Sequence, residues 1–274
     1  VAPPSLAGSV LFIANRGSPA EVPTTGPVTP GSGGYNIWVM NADGHEERAL
    51  TTTSHDAQPA LAPDGVHIAW IVSNNQVWTM TSDGAAQKKV ASCPQACGTP
   101  RWSPDGTRIA YTAQSGNGDV VVIDADGAHP RQYKTAIDAY GVSWSPDGQR
   151  LAVNVSGAPD VAGLWVMSVA TGVEKRIRTG NTAAPAWSPD GSTILFSDGT
   201  NLFTMAPDGT GLKQRTSGGG QYLGGSWSRD GHTLVFDFFP GRAGAHQQVG
   251  SMGVDGSNLR ALTDGTDDCY ESTT

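Results

Sequence analysis

The stretch Trp102-Ser103-Pro104-Asp105-Gly106 recurs along the chain with small changes. Ala62-Pro63-Asp64-Gly65 precedes it. Trp144-Ser145-Pro146-Asp147-Gly148, Trp187-Ser188-Pro189-Asp190-Gly191 and Trp227-Ser228-Arg229-Asp230-Gly231 follow it. The closing glycines stand 41, 42, 43 and 40 residues apart. A second motif runs in phase with the first, from Val39 to Gly44, Thr79 to Gly84, Val122 to Gly127, Val166 to Gly172, Thr204 to Gly209 and Ser251 to Gly256. A period near 40 with four short apolar runs per unit is the signature of a β-propeller blade.

Each unit reads as four strands, a to d. Strand a ends in Trp-Ser; Pro then presets φ and Gly takes the left-handed position of the turn. Strand b follows with alternating apolar residues, as in Arg108-Ile109-Ala110-Tyr111. Strand c is exemplified by Asp119 to Ile123, and the Asp-Gly turn leads into strand d, as in Arg48 to Thr51. Period-two alternation between turn residues argues for strands and against helices.

The two ends of the chain test the repeat. Ser5-Leu6-Ala7-Gly8 stands where a decayed turn belongs, just before Ser9 to Ile13. After Arg260-Ala261-Leu262-Thr263 too few residues remain for another blade. Yet Tyr270 to Thr274 falls at the offset from Leu262 that Gln58 to Ala62 has from Leu50. The expectation is an all-β fold, a single six-bladed β-propeller of four-stranded blades. The C-terminal strand joins the N-terminal blade, which closes the ring and removes two exposed sheet edges. Blade 1 takes about 5–52 plus 270–274; the others take 58–92, 99–135, 142–180, 184–216 and 225–264.

Composition agrees. The chain of 274 residues is 38% hydrophobic but only 15% charged, with 36 Gly and 18 Pro, which favours short strands and tight turns over long helices. No apolar run approaches the ~20 residues of a membrane-spanning helix. With 17 basic and 25 acidic residues the net charge is -8, which argues against a nucleic-acid partner. Most of that acidity makes turns, since twelve of the twenty Asp residues directly precede Gly. Cys93 and Cys97, four apart, suggest a loop-closing disulfide in an oxidising compartment, with Cys269 left as a thiol. Two buried thiols are the alternative, and no second Cys or His pair supports a zinc site.

The units Pro-x-Trp-Ser-Pro-Asp-Gly, Ile-Ala-Tyr, Val-Met-x-x-Asp-Gly and Ala-Leu-Thr resemble the WD40-like repeats of the TolB-type propellers, over residues 5 to 274. The resemblance is specific for fold and poorly specific for function. The same repeats occur in periplasmic scaffolding proteins, in prolyl-oligopeptidase-type peptidases and in oligogalacturonate-lyase-like enzymes. It implies a monomeric, non-catalytic, extracytoplasmic (periplasmic or secreted) protein that binds a protein or peptide at the channel mouth. The alternative is a carbohydrate-active, polysaccharide-lyase-like enzyme or a lectin using the same face.

The strand order sorts the loops onto two faces. The a–b and c–d turns make a regular face of turn chemistry. The b–c loops and d–a crossovers make an irregular one, with long segments from Asn15 to Tyr35, Gly157 to Gly163 and Phe238 to Gln248. Binding residues usually sit on such loops over a rigid scaffold. The crossovers offer Asp56, Cys97, Asp138, Tyr140, Thr182, Tyr222 and Asp268 to the channel mouth. The expected ligand-binding residues are Asp56, Asp138, Tyr140, Tyr222, Arg242 and His246, with Tyr140, Tyr222 and Phe239 as surfaces for a sugar. Asp56, Asp138 and Asp268 could converge on a calcium ion, though lone loop Asp residues more often cap turns. No other cofactor is expected. The lyase branch of the family uses a histidine cluster in the channel, whereas here only His55 is placed near the axis. The Gly-x-Ser-x-Gly of a serine hydrolase is missing, and no spacing recommends a carboxylate pair for glycoside hydrolysis. No catalytic residue is expected.

Overall fold

The computed structural model describes residues 3–6, 9–14, 35–41, 46–114, 118–134, 139–241, 247–263 and 269–273. Six four-stranded antiparallel sheets are arranged around an axis, five built from one repeat each and the first from both ends of the chain. The innermost strands are Cys269–Thr273, Asp56–Leu61, Ala96–Trp102, Ala139–Trp144, Ala183–Trp187 and Gln221–Trp227. Each touches the inner strand on either side of it, so the ring is closed. Closure runs through the chain ends: Cys269–Thr273 pairs with Ser9–Ala14, aligning Leu11 with Thr273, Ile13 with Tyr270 and Ala14 with Cys269. Among the described residues there is no helix long and apolar enough to cross a membrane.

The core consists of six apolar wedges, one between each pair of neighbouring blades. Phe12, Trp38 and Met40 meet Val235 and Val249 across the seam. Ile71 and Val77 meet Ile109, Tyr111 and Ile123 between blades 2 and 3. This arrangement corrects one expectation from the sequence. The middle strands do not alternate: Ile68, Ala69, Trp70 and Ile71 are all buried, as are Ile109 to Ala113. Both faces of a middle strand pack against neighbouring blades, so neither face is left for water. Exposed polar residues are concentrated in outermost strands such as Lys88–Ser92.

Polar contacts tie the wedges at both ends. Near the axis, indole Nε1 groups donate to the inner strand of the preceding blade: Trp102 to Ala60 O (3.1 Å), Trp144 to Arg101 O (3.0 Å) and Trp227 to Ala186 O (3.1 Å). At the rim, cations of the outermost strands of blades 1 to 3 reach the next blade's c–d turn. Arg48 donates to Ser82 O (3.0 Å), Lys88 to Asp126 O (3.0 Å) and Arg131 to Ala170 O (2.7 Å). Midway down the channel the inner strands bulge and crowd. A Cβ on Gly224 would sit 2.6 Å from that of Ala184, a residue at φ 45°, so this approach requires glycine.

Candidate functional site

On the crossover face the structure separates the residues nominated from sequence. Asp56 is buried. Its Oδ1 accepts from Trp70 Nε1 (2.8 Å) and its Oδ2 from Thr53 Oγ1 (2.6 Å), so the carboxylate is engaged inside blade 2. Tyr222 is buried as well, stacked on Phe238 at 5.9 Å and edge-on to Phe236 at 5.6 Å, where it joins blades 5 and 6. Thr182 is buried, and its carbonyl accepts from Asn154 Nδ2 (3.2 Å). Tyr140, at the start of its inner strand, is 45% exposed. The exposed His55 places Nδ1 2.8 Å from Thr53 O. Asp138, Arg242, His246 and Asp268 lie outside the described residues. So does the segment 15–34 of the first-blade loop. Cys93 and Cys97 are joined by a disulfide that closes the turn into blade 3, and both are buried in the wedge between blades 2 and 3. The side chain of Cys269 is outside the description.

The opposite face explains why the repeat has the residues it has. In each full copy the Ser hydroxyl donates to the Asp carboxylate, at 2.6 Å for Ser188–Asp190 and for Ser228–Asp230. The same hydroxyl accepts from the backbone N–H five residues on, as Ser103 does from Arg108 (2.9 Å). The Asp also takes the N–H two residues ahead, as Asp105 does from Thr107 (3.0 Å). The Ser103 hydroxyl, helped by Thr107, holds the Asp105 carboxyl down to about 2 despite some burial. Asp147 and Asp190 are lowered in the same way by Ser145 and Ser188. Blade 2 has Ala62 in place of Ser, and there the His67 ring takes over, with Nδ1 2.6 Å from Asp64 Oδ2.

Within this ring of turns lies a cavity of about 670 Å³ beside the axis. Its walls are Trp102, Trp227, Leu61, Val235 and Leu262, with Pro63, Pro104 and Pro189 at the lip. Arg229 and Arg260 also line it, and no Asp or Glu does among the described residues. Arg229 stands where the other full copies have proline, and it donates to Pro63 O (2.8 Å) across the place of blade 1's turn. Sequence reasoning passed over this cavity, since every turn here looked alike. The available signals were the departures from the repeat: Arg229 for Pro, and Leu61 for Trp. A second, more open hollow of about 810 Å³, lined by Met252, Asp255 and Leu259, surrounds blade 6's c–d turn.

Among the described residues no group of three or more His, Cys, Asp or Glu comes together that could hold a metal ion. The serine hydroxyls and carboxylates of the a–b turns serve the turns themselves.

Comparison with known proteins agrees with the fold. An uncharacterized peptidase, YuxL, of Bacillus subtilis is 28% identical over 169 residues, 59% of this chain but only 25% of that protein. The Tol-Pal system protein TolB of an Anaeromyxobacter species is 31% identical over 165 residues, 55% of this chain and 37% of that protein. The chain therefore spans well under half the length of these two relatives. An uncharacterized protein of Agrobacterium fabrum is 25% identical over 263 residues and matches along 88% of this chain and 87% of its own length. Among solved structures, TolB from Acinetobacter baumannii has a TM-score of 0.74 at 18% identity, covering 99% of this chain and 67% of that one. An oligogalacturonate lyase in complex with manganese has a TM-score of 0.61 at 14% identity, covering 86% and 70%. At such identities these two speak for the fold alone. The model described as the TolB beta propeller domain matches residues 73–273, most of the six repeats, and the chain belongs to that family.

Proposed function

We propose that the chain is a non-catalytic, extracytoplasmic binding propeller that receives a protein or peptide partner on its crossover face. The observation that carries this reading is Tyr140. It is a large aromatic side chain, 45% exposed, held at the crossover end of an inner strand within a rigid closed ring. Tyrosine on a fixed backbone is a frequent anchor of interfaces, because it buries much area while losing little rotamer freedom. Asp138 precedes it by two residues, and Arg242 and His246 of the sixth-blade loop are proposed to flank the same partner. Membership of the TolB propeller family supports a protein partner, and the Cys93–Cys97 bridge supports an oxidising compartment. The short, charged outermost strands, with Lys88-Lys89 and Glu174-Lys175-Arg176, discourage edge-to-edge pairing and support a monomer.

The test is a partner captured from the native extracytoplasmic fraction, with its affinity then measured by calorimetry. Tyr140→Ala should weaken binding at least ~10-fold, about 1.4 kcal/mol. Asp147→Asn, on the opposite face, should leave affinity unchanged in the folded protein. An unchanged affinity in Tyr140→Ala overturns the assignment of the face.

A further inference from the structure

Four tryptophans end inner strands on the turn face, and the repeat treats them in two ways. Trp144 and Trp187 are buried beneath guanidinium groups, with Arg108 and Arg150 each 4.8 Å from the indole centroid. The repeat positions equivalent to Arg108 and Arg150 hold His67 beside Trp102 and Thr193 in blade 5, the blade preceding Trp227. Trp102 and Trp227 are partly exposed, and both line the same cavity. Blade 2 adds to the space by presenting Leu61 where the other copies have Trp. The open region is thus written into the sequence as local departures from a pattern that elsewhere seals the face.

The chemistry of that region is specific. The walls are indole and aliphatic, and the only ionic side chains among the described lining residues are Arg229 and Arg260. Pro63 takes one of Arg229's five N–H donors and Ser251 takes one of Arg260's, at 2.8 and 3.2 Å. The neighbouring carboxylates are engaged elsewhere. Asp64 serves Val66, His67 and the His67 ring, Asp105 serves Ser103 and Thr107, and Asp230 serves Ser228 and His232. A volume of about 670 Å³ lies within the ~300–1,000 Å³ of small-molecule sites, which are likewise mostly apolar with a few fixed polar groups.

We propose that this cavity is a binding site for a small apolar carboxylate, its hydrocarbon part against Trp102, Trp227 and Leu262 and its carboxylate on Arg229 and Arg260. Guanidinium matches the two carboxylate oxygens in a fork that a neutral headgroup cannot use. In a chain of net charge -8 a site for an anion needs such a local pair of cations. The site lies on the face opposite Tyr140, so it stands or falls separately from the partner reading.

Decanoate, below its micellar range, is the probe, with 1-decanol and decyltrimethylammonium as its neutral and cationic counterparts. Binding is followed by indole fluorescence and by calorimetry on the full chain. Decanoate should bind saturably at one site and at least tenfold more tightly than either counterpart. Arg229→Gln and Arg260→Gln should each weaken decanoate binding at least tenfold and leave decanol unchanged, whereas Arg229→Lys should keep most of the affinity. Arg108→Gln, on the sealed half, should change neither. Melting curves of each variant separate loss of the site from loss of the fold. No saturable decanoate binding, equal binding of decanol, or unchanged affinity in both glutamine variants overturns the proposal.

Discussion

The blade 4–5 side of the turn face and the blade 6–3 side are made from the same five-residue turn, yet they present different surfaces. On one side Trp144 and Trp187 are buried under Arg108 and Arg150. On the other, Trp102 and Trp227 are partly exposed and border a cavity. The backbone hydrogen bonds of the turns are the same on both sides. Gly106 donates to Ser103 O, Gly148 to Ser145 O, Gly191 to Ser188 O and Gly231 to Ser228 O, each at 2.9 Å. The full turns therefore differ between the two sides in side chains, at a handful of positions where one copy departs from its siblings, and on the cavity side blade 1 carries Ser5-Leu6-Ala7-Gly8 in place of the full turn. In a repeat protein those departures are the informative residues, because the shared ones are accounted for by the blade.

The harshest way to break the comparison is to open the ring beside the cavity. Deleting Tyr270 to Thr274 removes most of the inner strand that pairs with Ser9–Ala14, leaves the inner edge of that strand unpaired and breaks the ring. The loss of several backbone hydrogen bonds, with the packing around them, should exceed ~5 kcal/mol and bring aggregation. A truncated protein that melts where the full chain does would mean that the seam does not hold the ring.

A direct test compares the two classes of tryptophan. Trp187→Ala empties a buried site against Phe196 and Met205 and should cost ~3–5 kcal/mol in denaturant melts. Trp227→Ala, at a partly exposed site, should cost on the order of 1–2 kcal/mol, in proportion to its smaller burial. Equal losses would show that the open half is packed like the sealed one.

The disulfide gives a smaller effect on the same scale. Cys93 and Cys97 close a loop of a few residues, for which chain entropy allows ~2 kcal/mol, lost in the double Ser variant or on reduction. Intact-mass measurement after non-reducing alkylation should label neither of the two. Labelling of both would remove the support for an oxidising compartment.

These residues also show what could be read from sequence. The spacing of Gly65, Gly106, Gly148, Gly191 and Gly231 defines the blades because each needs positive φ, from 66° to 72°, at the same point of the turn. The seam was legible because Leu50 and Leu262 directly follow equivalent outermost strands, so the offset carries over. What spacing does not report is the direction of a side chain. Asp56 and Tyr222 stand at crossovers like Tyr140, but a strand start alternates between channel and wedge, and these two turn into the wedge. The cavity was hidden for a related reason. It forms where residues far apart in sequence, Arg229 and Pro63 among them, meet across the place of blade 1's turn, and no local pattern records that meeting.

Acid gives the gentlest test, and its sign follows from the turns. Asp105, Asp147 and Asp190 all have folded-state carboxyls below the ordinary 3.8, mainly because a serine hydroxyl donates to the ionised form. A depressed carboxyl contributes stability above its unfolded value and loses that contribution as pH falls through the folded one. For Asp105 that window runs from about pH 4 down to about 2. These groups are largely exposed, so solvent screening keeps each contribution small. Asp64 is lowered too, but by backbone N–H groups and by the His67 ring rather than by a serine. Melting temperature should therefore hold steady from neutral pH to about 4 and then decline. Ser103→Ala and Ser145→Ala should lower it slightly at neutral pH and flatten its decline in acid, whereas His67→Gln should leave the serine-dependent part intact. A decline of undiminished steepness in both serine variants would place the acid sensitivity outside these turns.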